Sequence, residues 1–231
     1  MVLKVFRWAP DDGERFQEYD VPVAEGTTVL DALVDAQRRL DPTLAFRYAC
    51  RVGMCGSCAM VINGRERWAC RTLVGRLGRG PVTVRPLYHF PLIRDLVVDM
   101  SPFREKMTSV GAAFVPADGP ARFAPIGRDS RERRRIDPAI ECIGCGMCVS
   151  ACTMVGHDAR FAGPAAYNRV FSLQEDSRDA AHEDRQARLL SEDALVRCHG
   201  QANCTAVCPM QISPTESILA LRRGAARRLF T

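Results

Sequence analysis

No apolar run in this 231-residue chain approaches the roughly 20 residues that a helix needs to cross a bilayer. A membrane span is therefore not expected. The opening stretch MVLKVFRWAPDDGERF lacks the apolar segment of a secretory leader. It is also too acidic for a transit peptide, with Asp11, Asp12 and Glu14 coming early. A phosphate-binding loop is missing as well. Gly75, Gly78 and Gly80 stand as G-x-x-G-x-G with Pro81 behind them, which matches neither the dinucleotide fingerprint nor the P-loop and reads as a turn. Nor does one charge dominate. The formal net charge of +5 reads as solvated surface, and no nucleic-acid partner is expected.

What the chain has in excess is cysteine. Eleven is an odd count, and with no leader it argues against a secreted disulfide framework. Thiolates on metal in a reducing compartment fit better. Hydrophobic content of 47% and charged content of 26% are those of a globular protein, long enough for two small domains.

The cysteines fall in three places. In ECIGCGMCVSAC, Cys142, Cys145, Cys148 and Cys152 are spaced C-x2-C-x2-C-x3-C, with Gly144 and Gly146 letting the backbone pass close to one small object. Such a run holds a cubane iron–sulfur cluster with three cysteines, while its fourth serves a different cluster. Zinc is the alternative, but zinc sites draw cysteine pairs from two separated places. Earlier, Cys50, Cys55, Cys58 and Cys70 stand as C-x4-C-x2-C-x11-C, the first three at the plant-type spacing of a 2Fe–2S cluster. There Gly53 and Gly56 supply tight turns, and small Ser57 leaves room for backbone amides to point at the sulfurs, where they help set the potential.

In CHGQANCTAVCP, Cys198, Cys204 and Cys208 keep the two-cluster frame, followed by Pro209, but the second position is Gln201. The crossing rule pairs Cys142, Cys145 and Cys148 with Cys208 as a 4Fe–4S site, and leaves Cys152, Cys198 and Cys204 with three thiolates. Three thiolates and a neutral amide predict a 3Fe–4S cluster. A labile 4Fe–4S cluster with water or Gln201 at that corner is the alternative.

Around these loops the pattern is mixed. Residues 4–8 and 16–23 read as strands about the turn Pro10-Asp11-Asp12-Gly13. Thr28 with Asp31 starts a helix burying Leu30, Leu33 and Val34, which Asp41-Pro42 stops. Residues 59–62 and 65–69 form a hairpin about Asn63-Gly64. Residues 86–138 read as a connector with a helical piece at 102–108, and Arg131 to Arg135 as a solvated helix face. Residues 165–171 and 186–196 carry helical spacing, joined by the polar stretch EDSRDAAHED. Ser213-Pro214-Thr215-Glu216 caps a last helix that buries Ile218, Leu221 and Ala225 and exposes Arg222, Arg223, Arg227 and Arg228. The fold expected is α+β: a β-grasp, plant-type ferredoxin-like domain over 1–100, then an all-α, two-cluster ferredoxin-like domain over 101–231.

With these motifs in order, the chain resembles the iron–sulfur subunit of the succinate dehydrogenase/fumarate reductase family almost end to end. CRVGMCGSCAMVING, DLVVDMSPF, ECIGCGMCVSAC, FAGPAAYNR and CHGQANCTAVCP carry the resemblance. It implies an electron wire between FAD on a partner subunit and a quinone at membrane anchor subunits, on the cytoplasmic face of the inner membrane. It also implies that His199 is a candidate quinone contact, the plain alternative being a hydrogen-bonded support to the cluster ligands. Two departures stand out. The family places proline after the cysteine matched by Cys152, where this chain has Thr153, and TMVGHD is one residue shorter than in ubiquinone-type enzymes and lacks their tryptophan. A second reading keeps the wire but gives it another flavoprotein substrate or a non-quinone acceptor. A zinc-stapled module binding nucleic acid is the reading from another class.

Overall fold

A computed structural model of the chain describes residues 1–117, 124–191 and 195–229, the side chains of 228 and 229 excepted. They group into two compact units, Met1–Met100 with Ile143–Ala151, and Ser101–Cys142 with Cys152–Thr231.

The first unit is built on a five-stranded mixed sheet. Strand β1 (Val2–Ala9) pairs antiparallel with β2 (Gly13–Asp20) across the expected turn, with Phe6 opposite Phe16. The second strand ends at Asp20, short of the expected 23, and Val21 just beyond it gives one last hydrogen bond to the Met1 carbonyl. Helix α1 (Val29–Arg39) follows, and the Thr28–Asp31 capping box forms in both directions. Such a cap is worth about 1 kcal/mol. Leu30, Leu33 and Val34 enter the core as the spacing predicts, each burial contributing about 1.5–3 kcal/mol.

Strands β3 (Ala59–Ile62) and β4 (Arg65–Trp68) form the Asn63-Gly64 hairpin. Strand β5 (Val82–Arg85) then inserts parallel to β1 and antiparallel to β3, giving the order β2-β1-β5-β3-β4. A short hairpin, β6 (Leu92–Arg94) with β7 (Val97–Val98), completes it. These last two pieces lie at the expected turn's exit and within the expected connector, where strand signals are only two to four residues long.

A buried arginine locks this unit. Arg7 gives hydrogen bonds to Asp95 (2.9 Å), the Tyr19 hydroxyl (2.6 Å) and Thr43 (2.9 Å), and it also pairs with Asp41. Asp95 in turn accepts from the amides of Trp8 and Ala45 at 3.0 and 2.8 Å. Strand, turn and the approach to the first cysteine loop are thus tied to one guanidinium.

The second unit is helical: α2 (Ser101–Ser109), α3 (Arg131–Ile140), α5 (Thr153–His157), α6 (Pro164–Gln174), α7 (His182–Leu189), α8 (Asn203–Ala206) and α9 (Pro214–Leu229), with α4 (Met147–Ser150) belonging to the first unit. Helix α6 is buried nearly all round, and its Asn168 cross-links three helices. The Asn168 amide gives a 2.9 Å hydrogen bond to the Ala139 carbonyl on α3, and its oxygen accepts one of 2.9 Å from Ser217 on α9. Helix α7 starts earlier than expected and ends at Leu189, while residues 192–194 of the expected helix lie outside the described residues. The polar stretch before it is not solvated throughout. Asp176 and Asp179 are buried, and Asp179 takes both arms of buried Arg185 at 2.6 and 2.8 Å. The arginine run does form a mostly exposed face on α3, with Arg135 paired to Glu175.

Candidate metal centres

The first cysteine loop runs from Cys50 to Cys58 and closes on Cys70. Cys50 and Cys55 approach the surface, while Cys58 and Cys70 are buried beneath them, and none of the four is in a disulfide. Gly53 and Gly56 adopt φ of +77° and +72°, the turns read from the sequence. The amides of Met54 and Cys55 both donate to the Cys50 sulfur at 3.3 Å, which is the amide-to-sulfur pattern that the small residues allow. The Ser57 hydroxyl and nearby amides hold the Cys55 thiol well below its usual value. Burial pushes Cys58 up, with Cys70 and Cys55 close enough to add to it. A thiol set of this kind is suited to a soft, positively charged guest that takes all four sulfurs as thiolates.

The second and third loops share a backbone plan. In the second, Gly144 and Gly146 have φ of +65° and +81°, and α4 starts at Met147. In the third, Gly200 and Ala202 have φ of +71° and +60°, and α8 starts at Asn203. The two segments therefore match turn for turn, which sets Gln201 where the other loop has Cys145. Ala202 holds a left-handed conformation with a Cβ, so the geometry is kept there against a steric cost.

In the second loop, Cys145 and Cys148 are half-buried within the first unit, and Ser150 anchors the stretch by donating to buried Glu66 (2.8 Å) while accepting from the Tyr88 amide (2.9 Å). Cys142 and half-buried Cys208 belong to the second unit.

Cys152, Cys198 and Cys204 line one cavity together with Thr153, His199, Gln201, Thr215 and Ile218. Burial raises the Cys152 thiol, and the neighbouring Cys204 and Cys198 raise it further, as expected for sulfurs facing one another. Among the described residues no three His, Cys, Asp or Glu side chains are gathered as a single ion requires. Thr153 donates a 2.6 Å hydrogen bond to the Gln201 side-chain oxygen. His199 is exposed at the cavity wall.

Three contributors were not visible as such in the sequence. Arg222, expected on a solvated face, instead folds back on the Cys198 segment, giving hydrogen bonds to the Leu195 carbonyl (2.9 and 2.6 Å) and the Cys198 carbonyl (2.5 Å). The 3-10 turn gives the Leu195 carbonyl one partner, the Cys198 amide at 3.2 Å, and the guanidinium adds a charged donor there and at the Cys198 carbonyl. Arg223 and Arg227 do lie exposed, and the side chain of Arg228 is outside the described residues. Lys106 reaches the Phe161 carbonyl at 2.8 Å, and its ammonium is depressed by burial against the pull of Cys152 and Asp158. Thr215 contacts the Cys204 sulfur at 3.3 Å.

Residues 2–105 match the model of a 2Fe-2S iron–sulfur cluster binding domain, and residues 138–212 that of a 4Fe-4S dicluster domain. A fumarate reductase iron–sulfur subunit from Mycobacterium tuberculosis is 37% identical, the match covering 98% of this chain and 93% of that protein. A succinate dehydrogenase iron–sulfur subunit from Paracoccus denitrificans is 35% identical over 98% of this chain and 88% of its own. Among solved structures, a chain of the Mycobacterium smegmatis Sdh1 complex in the apo form superposes with a TM-score of 0.89 at 32% identity, covering 100% of this chain and 97% of that one. The chain belongs to the succinate dehydrogenase/fumarate reductase iron–sulfur subunit family.

Proposed function

We propose that this chain is the electron-transfer subunit of a succinate dehydrogenase or fumarate reductase type oxidoreductase, working between a FAD-containing partner subunit and a quinone at membrane anchor subunits. It performs no bond chemistry itself. Iron–sulfur clusters supply one-electron steps, which suit a path between a two-electron flavin and a two-electron quinone. The protein's own work is to hold the clusters and to set their surroundings.

The ligand sets we assign are Cys50, Cys55, Cys58 and Cys70 for 2Fe–2S, Cys142, Cys145, Cys148 and Cys208 for 4Fe–4S, and Cys152, Cys198 and Cys204 for 3Fe–4S. The observation that carries the last is the turn-for-turn match that sets Gln201 in the place of a cysteine while three cysteines line its cavity. The amides of Met54 and Cys55 donate to the Cys50 sulfur, and the Lys106 ammonium stands near Cys152. His199, on the exposed wall of the same cavity, is the residue we assign to the quinone. The mixed sheet with α1 supports a β-grasp reading of residues 1–100, and the helices support a two-cluster ferredoxin-like reading of 101–231. Among the described residues no helix is long and apolar enough to cross a membrane, so attachment to the cytoplasmic face would run through the anchors.

A reductive titration of the assembled complex, followed by electron paramagnetic resonance, tests this. Three distinct centres are expected, one of them a trimetallic signal in the oxidised state. Two centres only would reject the ligand assignment. Quinone reductase activity with a hydrophobic subunit in the complex supports the quinone end, and a complex lacking both gives the acceptor to another molecule.

A further inference from the structure

The cavity formed by Cys152, Cys198 and Cys204 has a hydroxyl arrangement that the electron path described above does not by itself require. Thr215, on the first turn of α9, places its Oγ1 3.3 Å from the buried Cys204 sulfur. Thr205, one residue after that cysteine, donates to the same Thr215 oxygen at 3.0 Å. The Thr205 oxygen is itself held by the Thr215 amide at 3.5 Å and lies 3.3 Å from the Ser213 hydroxyl.

These contacts fix the direction of the protons. The Thr205 proton is committed to the Thr215 oxygen, so the Thr215 proton is left to point elsewhere. The neighbour within reach is the Cys204 sulfur, and a sulfur that binds iron as thiolate has no proton to give and can only accept. The chain of bonds therefore runs Thr205 to Thr215 to Cys204, and each donor polarises the next.

We propose that Thr215, supported by Thr205, is a positioning residue that raises the reduction potential of the cluster held by Cys152, Cys198 and Cys204. This rests on the assignment of that cluster made above. Reduction there adds one electron, delivered along the path from the partner flavin, and makes or breaks no bond. It places one more unit of negative charge on the iron–sulfur core and its thiolates. A hydroxyl aimed at a thiolate stabilises the more negative state more, so reduction becomes easier. Cys204 is buried, where water cannot substitute for the lost donor.

The experiment is a potentiometric titration of the complex, assembled with its flavoprotein subunit, read by electron paramagnetic resonance. The variants are Thr215→Val, Thr215→Ser and Thr205→Val. Thr215→Val keeps the shape and removes the donor, so the midpoint of this cluster alone moves to lower potential. Thr215→Ser restores it. Thr205→Val gives a smaller shift of the same sign, because Thr215 keeps its proton but loses its polarising partner. This third variant also decides the matter should Thr215→Val fail to assemble. Unchanged midpoints in both valine variants overturn the proposal. A wild-type complex without a trimetallic signal overturns the cluster assignment instead. The hydroxyl's effect is then read on the four-iron signal of the same site.

Discussion

Gly56 of the first cysteine loop lies flat against Cys145 of the second: a methyl group built on Gly56 would stand 2.7 Å from the Cys145 Cβ and 3.0 Å from its Cα. The two nearest atoms cannot yield, being a backbone carbon and the first carbon of a side chain, and only the third, the tip of Ile143 at 3.3 Å, is flexible. Gly56→Ala must therefore move one loop off the other. Left-handed backbone adds about 1–2 kcal/mol of strain, and overpacking typically adds about 1–3 kcal/mol. The expected result is a lower unfolding midpoint together with weaker magnetic coupling between the two reduced clusters nearest these loops. An alanine variant with wild-type stability and coupling would contradict the close packing.

Ala202 predicts the opposite sign. It holds φ of +60° at the position where the matching loop has Gly146. Ala202→Gly relieves the steric cost, offset in part by extra freedom in the unfolded chain, for a net gain of up to about 1 kcal/mol. Thermal unfolding should shift upward, with the spectrum of the three-cysteine cluster unchanged.

Arg222 tests how the third loop is held. Removing it leaves the Leu195 and Cys198 carbonyls without their charged donor, at a cost of about 2 kcal/mol given partial access of water. Arg222→Met should lower occupancy of the cluster at Cys152, Cys198 and Cys204 while the 2Fe–2S signal stays at full strength. Equal loss of both signals would point to general unfolding instead. Arg222→Lys should rescue only in part, because an ammonium lacks the planar fork that bonds two carbonyls in fixed geometry.

The Asp179–Arg185 pair carries a pH dependence. Burial alone would raise the Asp179 carboxyl, but the Arg185 fork and the amides of Ala181 and Val115 outweigh it and hold it below the usual range. A carboxylate depressed in the folded state stabilises the fold above its unfolded value of about 3.9, and that contribution fades as pH falls through the folded value. Asp179→Asn strands a buried guanidinium and should cost about 3–5 kcal/mol at neutral pH. Urea midpoints measured from pH 7 to pH 3 should show the gap between wild type and variant closing only below about pH 4. A gap that is constant with pH would mean that Asp179 is not ionised in the fold.

Some of this was legible before any coordinates, and the reason is physical. The Thr28–Asp31 cap and the Asn63-Gly64 hairpin are local devices, written within four consecutive residues, and both form as read. The cysteine spacings are local too, and the positive φ values at Gly53, Gly56, Gly144 and Gly146 follow from them. Strand β5 was not legible, because four residues behind a glycine-rich turn become a strand only when β1 and β3 stand on either side. Arg222, expected at the surface, and Arg185, which the sequence pattern does not single out, escape for a similar reason. Their partners are carbonyls and carboxylates whose need for a donor arises only once the chain has folded.

The grouping of Ile143–Ala151 with the first unit has a consequence for how the protein is made. On the ribosome, residues 1–100 emerge before residues 143–151, yet the surfaces of Gly56 and Phe90 await Cys145 and Gly146, and Glu66 awaits Ser150. The amino-terminal half must therefore wait, incompletely closed, for more than forty further residues of synthesis. A nascent chain halted before residue 143 would present that gap to chaperones or to the machinery that delivers iron.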